Sequence, residues 1–175
     1  MAAHASSLVC AEAKEFLQKN HTAVVASVYR KYVAASTVYY VLDDDLNFFF
    51  ATRKGTDKYL NFSDNANVAL VVGTGPKHIS VQVRGHVERL HGEPRAAALE
   101  RLTQMKQHKK ITTWPIKDMV RFHVIEKKTE EVEIVFRVTP QQLVFMNLDD
   151  PHYPASHSSA YHTILPRTRV KSASL

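Results

Sequence analysis

The chain has 175 residues, a formal net charge of +6, 45% hydrophobic residues, 23% charged residues and five glycines. This composition predicts one globular domain with an ordinary core, and it excludes a disordered or fibrous protein. The positive charge favours an anionic partner, which could be nucleic acid, acidic lipid or a phosphorylated small molecule. Charge alone does not choose among these three classes.

Cysteine content and hydropathy bear on the compartment. The single cysteine, Cys10, cannot form an internal disulfide, so a cytoplasmic location is favoured. The start of the chain lacks the basic region of a signal peptide, and no segment approaches the roughly 20 apolar residues of a membrane span. We therefore expect neither a signal peptide nor a membrane anchor.

The first predicted element is a short amphipathic helix over about Ala11–Asn20. Short β-rich runs follow it: Ala23–Tyr29, Ser36–Leu42, Leu46–Ala51, Val68–Val72, Ile79–Leu90, Met119–Ile125, Val132–Val138 and Leu143–Met146. Two helices interrupt these runs, a short one after Thr56 and a longer one from Glu93 to about His108. The Ser/His-rich and basic segment 150–175 predicts an extended or frayed tail.

Turn signals and alternation predict how the strands are arranged. Asp43–Asp45 and Glu126–Glu131 are each placed to form a tight antiparallel turn. Within Ile79–Leu90, apolar residues alternate with polar ones, which gives the strand one dry face. Many antiparallel strands with few helices predict a mainly β fold, preferably a small barrel, over residues 1–149.

The most informative segment for chemistry runs from Phe48 to Lys58, where a strand ends and a helix begins. Thr56 can cap that helix, which leaves backbone N–H groups and the positive end of the helix dipole for a phosphate. The hydroxyl of Thr52 and the charges of Arg53, Lys54 and Lys58 could hold the same phosphate.

A simpler interpretation competes with this anion site. Runs of lysine near a turn are usually solvated surface, and Thr56 could be an ordinary helix cap. Asp57 also counts against a phosphate, because its carboxylate would compete for the helix N-terminus unless it pointed away.

A resemblance adds to this interpretation. Its features, in order, are the acidic turn, the aromatic strand, Thr-x-x-Gly-Thr-x-Lys at 52–58, Asn61, Val-Ala-Leu-Val-Val at 68–72 and Val-Arg-Gly-His-Val-Glu at 83–88. This order resembles the FMN-binding split barrels of the pyridoxamine 5'-phosphate oxidase-like family, which are antiparallel and of Greek-key type. The similarity runs from about Ala11 to Leu148.

The resemblance implies a homodimer that binds FMN at the subunit interface, with the phosphate held by Thr52, Thr56 and Lys58. It implies that the flavin ring lies along Ser36, Thr37 and Val38, near Ser80 on a neighbouring strand. Together with the residue analysis, the candidate cofactor-binding residues are Ser36, Thr37, Val38, Ala51, Thr52, Arg53, Lys54, Thr56, Lys58, Ser80 and Trp114. Trp114 could instead seal the barrel by packing.

Departures from the family pattern exclude the vitamin-synthesising enzyme itself. Those members carry an Arg and a Lys on the second strand, where this chain has Ala35 or Ser36 and Tyr40. They also end in an Arg-x-His element after an aromatic residue, whereas this chain has Met146 and then Asn147. A phosphorylated pyridine would then lack its cationic partner.

The predicted function is therefore an FMN-dependent oxidoreductase acting on an unidentified small molecule, with no catalytic residue assigned. Its alternatives are a deazaflavin-dependent reductase and a non-catalytic flavin or haem carrier. A barrel that binds single-stranded nucleic acid through Tyr29, Tyr32, Tyr39 and Tyr40 ranks below these, because Tyr39 and Tyr40 alternate in direction.

Histidine and cysteine chemistry are weaker hypotheses. His152, His157 and His162 have five-residue spacing, which fits no tight ligand set, so no metal site is assigned. They do keep the haem alternative open. Cys10 has no evident base partner and is interpreted as a packing residue.

Overall fold

The computed structural model describes residues 2–73, 78–108, 133–148 and 161–165, with side chains described for 10–73, 78–105 and 133–148. Its elements are α1 (Ala2–Lys19), β1 (Thr22–Tyr29), β2 (Tyr32–Tyr39), β3 (Val41–Leu42), β4 (Phe48–Arg53), α2 (Asp57–Asp64), β5 (Asn67–Val72), β6 (Ile79–Arg89), α3 (Gly92–His108), β7 (Glu133–Asn147) and β8 (Tyr161–Leu165). The mainly β architecture predicted from the sequence is confirmed.

The strands form one sheet in the order β2-β1-β5-β6-β7-β4-β3, and β8 pairs with β7. Every pair is antiparallel. The two ends of the sheet approach each other, because β2 lies beside β4. The sheet therefore curls into a partly closed barrel.

The barrel interior is filled by one face of each long strand. On β6 the predicted alternation is confirmed: Val81, Val83 and Val87 are buried, whereas Gln82 and His86 are exposed. The largest fully buried side chains include Tyr40, Phe48, Phe50, Leu70, Leu143 and Phe145. Burial of this apolar surface is the main favourable term in folding the barrel.

The helices occupy different parts of the barrel. Ala13 and Leu17 of α1 are buried in the core, and the hydroxyl of Tyr40 donates a hydrogen bond of 2.9 Å to the carbonyl of Leu17. α3 lies against the outer face of β4 and β7, where Ala98 packs with Val135. In the described ranges, no helix is long and apolar enough to cross a membrane.

The outer face of β1, β2 and β5 is apolar and carries no helix in the described part of the chain. Its side chains include Val24, Ala26, Ala35, Ala69 and Val71, and Val33 near the tip is 75% exposed. The main helix contacts of β1 and β2 come from α2, which packs on the inner side through Asn61 and Ser27. The sequences of these strands are therefore apolar on both faces of the sheet.

Several element boundaries differ from the prediction. The first helix begins at Ala2 rather than near Ala11, and the second strand begins at Tyr32 rather than Ser36. The runs Val132–Val138 and Leu143–Met146 are parts of one strand, β7. The tail segment 150–175 contains strand β8, and the predicted strand Met119–Ile125 and turn Glu126–Glu131 lie outside the described residues.

Candidate functional site

The loop between β4 and α2 is fixed at both ends. Phe136 of β7 packs against two rings: Phe50 of β4 is stacked on it at 5.9 Å between ring centroids, and Phe62 of α2 meets it in a T-shaped contact at 5.0 Å. The side-chain amide of Asn61 donates a 2.9 Å hydrogen bond to the hydroxyl of Ser27 on β1. The loop therefore sits on a rigid support.

Two threonine hydroxyls meet in this loop. The Oγ1 atoms of Thr52 and Thr56 are 3.1 Å apart, and Thr52 is buried. The hydroxyl of Thr56 also donates to the carbonyl of Arg53 at 3.0 Å, and it accepts the N–H of Tyr59 at 3.4 Å. Thr56 is thus the N-cap of α2, as predicted from the sequence.

The first turn of α2 offers donors for an anion. The N–H of Leu60 bonds to the carbonyl of Thr56, and the N–H of Tyr59 bonds to the Thr56 side chain. Helix geometry gives the N–H groups of Asp57 and Lys58 no partner inside the helix. The positive end of the helix dipole adds to their attraction for negative charge.

Lys58 is the charged residue that fits an anion best. Its side chain is half-buried, and burial lowers the pKa of its ammonium group, an effect that the nearby carboxylate of Asp57 partly opposes. A half-buried cation gains from a bound phosphate, which would stabilise the charged form. Thr52, Thr56 and Lys58 are therefore the candidate residues for a phosphate site, called here the phosphate cradle.

The remaining loop residues point elsewhere or lie at the surface. Ala51 packs against the α3 clusters on the outer face of β4. Arg53 alternates to that same face and pairs in register with Glu133 of β7. Lys54 is exposed. Asp57, which could have blocked the cradle, lines a groove toward the β1–β2 hairpin.

The predicted ring-binding strand lies at the edge of the sheet. Ser36, Thr37 and Val38 belong to β2, which is terminal in the strand order and contacts both β4 and α2. The backbone of β2 is therefore near the loop. Trp114 lies outside the described residues.

Ser80 does not lie on a strand next to β2, so the expected strand adjacency is wrong within one subunit, while its role at the cofactor stays a prediction. Two strands, β1 and β5, separate β6 from β2 in the sheet. At a spacing of about 4.8 Å per strand, the separation within one subunit is roughly 14 Å. Ser80 is buried and pairs in register with Met146 of β7.

Sequence reasoning missed the pair formed by Ser27 and Asn61 and the exposed Leu60 beside the loop. It named Tyr29 and Tyr32 only as candidates for stacking on nucleic acid. Asn61 was part of the sequence motif, but no hydrogen-bond partner was predicted for it. A serine inside the apolar run of β1 was the available signal, because a buried hydroxyl needs a hydrogen-bond partner.

Comparison with known proteins identifies the family to which this fold belongs. The family model described as pyridoxamine 5'-phosphate oxidase matches residues 10–136. The chain belongs to the pyridoxamine 5'-phosphate oxidase-like family. A search of curated proteins found no match.

Solved structures share the split-barrel fold at low sequence identity. A Clostridium acetobutylicum protein related to general stress protein 26 of B. subtilis, of the pyridoxinephosphate oxidase family, is 13% identical, with TM-score 0.60, over 90% of this chain and 94% of that chain. An FAD-binding protein of Mesorhizobium loti is 19% identical, with TM-score 0.53, over 77% and 89%. A heme binding protein of Mycobacterium smegmatis is 13% identical, with TM-score 0.62, over 89% and 57%.

The departures from the vitamin-synthesising pattern have structural counterparts. Tyr40 is fully buried, and its hydroxyl donates a hydrogen bond to the carbonyl of Leu17. It therefore holds α1 in place and does not contact a ligand. Asn147 is buried, and its amide donates to the carboxylate of Glu12 at 2.8 Å. Both positions therefore serve the packing of α1.

Proposed function

We propose that this chain is an FMN-dependent oxidoreductase that acts on a small molecule as a homodimer. The observation that carries the proposal is the cradle formed by Thr52, Thr56 and Lys58 at the start of α2. A half-buried lysine and a helix N-terminus on a rigid loop suit a phosphate ester, and the hydroxyls of Thr52 and Thr56 would donate to it on turning away from their present partners. The family relationship supports a flavin as the group that carries this phosphate.

The protein's part in the reaction is to bind and orient. When bound, the flavin supplies the hydride or electron chemistry. The loop holds its phosphate, and the edge of β2 offers backbone groups along which its ring would lie. No described residue is assigned as a general acid or base.

The homodimer is supported by the outer face of β1, β2 and β5. The described residues place no helix on this face, although Val24, Ala26 and Val71 lie on it. Apolar sheet faces of this kind normally pack against another layer. A second copy of the chain would cover this face and bring its own residues beside β2.

A haem or deazaflavin ligand is the second candidate. A heme binding protein shares the fold, and this chain has ten histidines. Of the tail histidines, His152 and His157 lie outside the described residues, while His162 lies in β8. Separate absorption titrations with FMN, deazaflavin and haem would show which of the three binds, and a Soret band would mark haem.

The phosphate cradle is tested by Lys58→Ala against Lys19→Ala. Lys19 is an exposed residue of α1 that pairs with Glu15, so the control removes the same charge away from the loop. Lys58→Ala is expected to weaken FMN binding by about 10- to 100-fold, as for loss of a charged hydrogen bond. Equal dissociation constants for both variants in a flavin fluorescence titration would refute the cradle.

A further inference from the structure

A second recess adjoins the loop and is not used by the phosphate. It has a volume of about 580 Å³ and lies between the tip of the β1–β2 hairpin and α2. We call it the hairpin groove. Its lining includes Tyr29, Tyr32 and Ala34 of the hairpin and Asp57, Leu60 and Asp64 of the helix.

The helix presents one continuous face to this groove. Asp57, Leu60, Asn61 and Asp64 have the i, i+3, i+4, i+7 spacing of a single helical stripe. The two carboxylates lie about 10 Å apart along the helix axis, with an apolar side chain between them. The groove therefore has an acidic group near each end and an apolar floor.

The opposite wall is aromatic and open to solvent. Tyr29 is 38% exposed, Tyr32 is 65% exposed, and Leu60 across the groove is 51% exposed. The two tyrosines face each other across the strands as a register pair. Such a wall can take up a flat or aliphatic body from water.

Both rings already have cations at their faces. The guanidinium carbon of Arg30 lies 5.2 Å from the centre of the Tyr29 ring, and Nζ of Lys31 lies 5.7 Å from that of Tyr32. These are cation–π distances, so Arg30 and Lys31 already cover these ring faces, and a ligand would contact the rest of the tyrosine surfaces. The backbone N–H of Arg30 also donates to the carboxylate of Asp64 at 3.4 Å.

The charges of the groove contrast with those of its surroundings. The chain as a whole carries a net charge of +6, yet the described residues that line the groove itself include two aspartates and no lysine, arginine or histidine. Arg30 and Lys31 lie next to it, on the tyrosine rings. An anionic body, including a nucleic acid or an acidic lipid, would meet these carboxylates. A cation would be attracted by them.

We propose that the hairpin groove binds a small organic cation with an aromatic or aliphatic body, such as an arylalkyl amine. The body packs between Tyr32 and Leu60, and the ammonium group pairs with Asp64. This site is distinct from the phosphate cradle and does not depend on bound flavin.

The test uses 2-phenylethylamine and the anion 3-phenylpropionate, which have similar bodies and opposite charges. Binding is followed by chemical-shift titration of the flavin-free protein and again with FMN added. The amine is expected to bind in both cases, and the carboxylate to bind about tenfold more weakly or not at all. Equal affinity for the two probes, or no binding of the amine, would overturn the proposal.

Asp64→Asn keeps the shape of the groove and removes the charge. It is expected to weaken amine binding by about tenfold. Asp44→Asn is the matched control, because Asp44 is a fully exposed aspartate that pairs with Lys14 outside the groove. Equal affinities in both variants would overturn the site.

A change of oligomeric state in Asp64→Asn alone would also overturn the site, since a second copy would then occupy the groove. FMN binding by Lys58→Ala tests the cradle separately.

Discussion

At the scale of residues, Lys58 connects the environment of one side chain to a measurable pH dependence. Burial lowers the pKa of its ammonium group below the ordinary value of 10.5. A phosphate binds the protonated form, so FMN affinity is present below this lowered pKa and is lost as the pH rises through it. Titrations of the native protein between pH 7 and 10.5 are expected to show this alkaline loss.

The control for this pH dependence is Lys58→Arg. A guanidinium remains charged above pH 12, so its phosphate affinity is expected to change little over the same range. If the native protein and Lys58→Arg gave parallel pH profiles, a group other than Lys58 would be responsible.

The hydroxyl pair of the cradle gives a prediction about stability. Thr52→Val keeps the shape of a buried side chain and removes the hydrogen bond to Thr56. The free energy of unfolding is expected to fall by about 0.5–1.5 kcal/mol. Urea denaturation measures this change, and a variant as stable as the native protein would show that the hydroxyls do not support each other.

Single residues were predicted well where the cause is local. The N-cap role of Thr56 follows from its own side chain and from the helix after it, and the structure confirms it. The partner of Asn61 could not be predicted in this way, because Ser27 lies 34 residues earlier in the chain. Contacts at this distance depend on strand order, which local patterns do not encode.

At the scale of elements, β7 shows why one strand was predicted as two. Pro140 lacks an N–H group and usually marks a break or an edge. Here it pairs with Gly85 at a register shift in β6. Pro140 also lies between two parts of β7. The part that pairs with β4 ends at Val138, and the part that pairs with β8 begins at Leu143. The strand can therefore continue through the proline.

The close approach at Gly85 is itself testable. A Cβ at this position would lie 2.5 Å from the carbonyl oxygen of Thr139 and 2.9 Å from a methyl of Val138. Gly85→Ala should therefore separate β6 from β7, at a cost of about 1–3 kcal/mol in unfolding free energy. Arg84→Ala, at the exposed neighbouring position, is expected to change the stability far less. Equal stabilities in thermal or urea unfolding would contradict the register of this strand pair.

The predicted boundaries of other elements differ from the observed ones because the sequence signals at these positions are weak. The second strand begins at Tyr32, directly after a two-residue turn at Arg30 and Lys31, and Arg30 has a φ of 52°. Hairpin turns of this kind favour Asn or Gly, so basic residues concealed the turn. The acidic turn at Asp43–Asp45 was recognisable, and it does join β3 to β4.

At the scale of the whole molecule, the apolar outer face of β1, β2 and β5 predicts a dimer. A single charged substitution on this face should dissociate it. Ala26 lies on this face of β1 and is paired with Ala35 and Ala69 on the two neighbouring strands. Ala26→Glu would bury an unpaired carboxylate in the interface, so we expect a monomer. Ala97→Glu makes the same change on the exposed side of α3. Size-exclusion chromatography with light scattering should find a dimer for that control and for the native chain.

Strand order is the part of the fold that sequence patterns could not predict. The strand types and the antiparallel class follow from alternation and turns. The position of β6, with β1 and β5 between it and β2, follows only from crossovers between distant segments. The expected placement of Ser80 on a strand next to β2 failed for this reason. The strand end, the helix start and the Thr56 cap within Thr52–Lys58 were predicted correctly because these residues are contiguous.

The most direct test of the account compares FMN with riboflavin, which differ only by the phosphate, in fluorescence titrations of the native protein and Lys58→Ala. The native protein is expected to bind FMN at least about tenfold more tightly than riboflavin, and the variant is expected to lose most of this preference. Equal affinities of the native protein for FMN and riboflavin would contradict the phosphate cradle, and with it the proposed function.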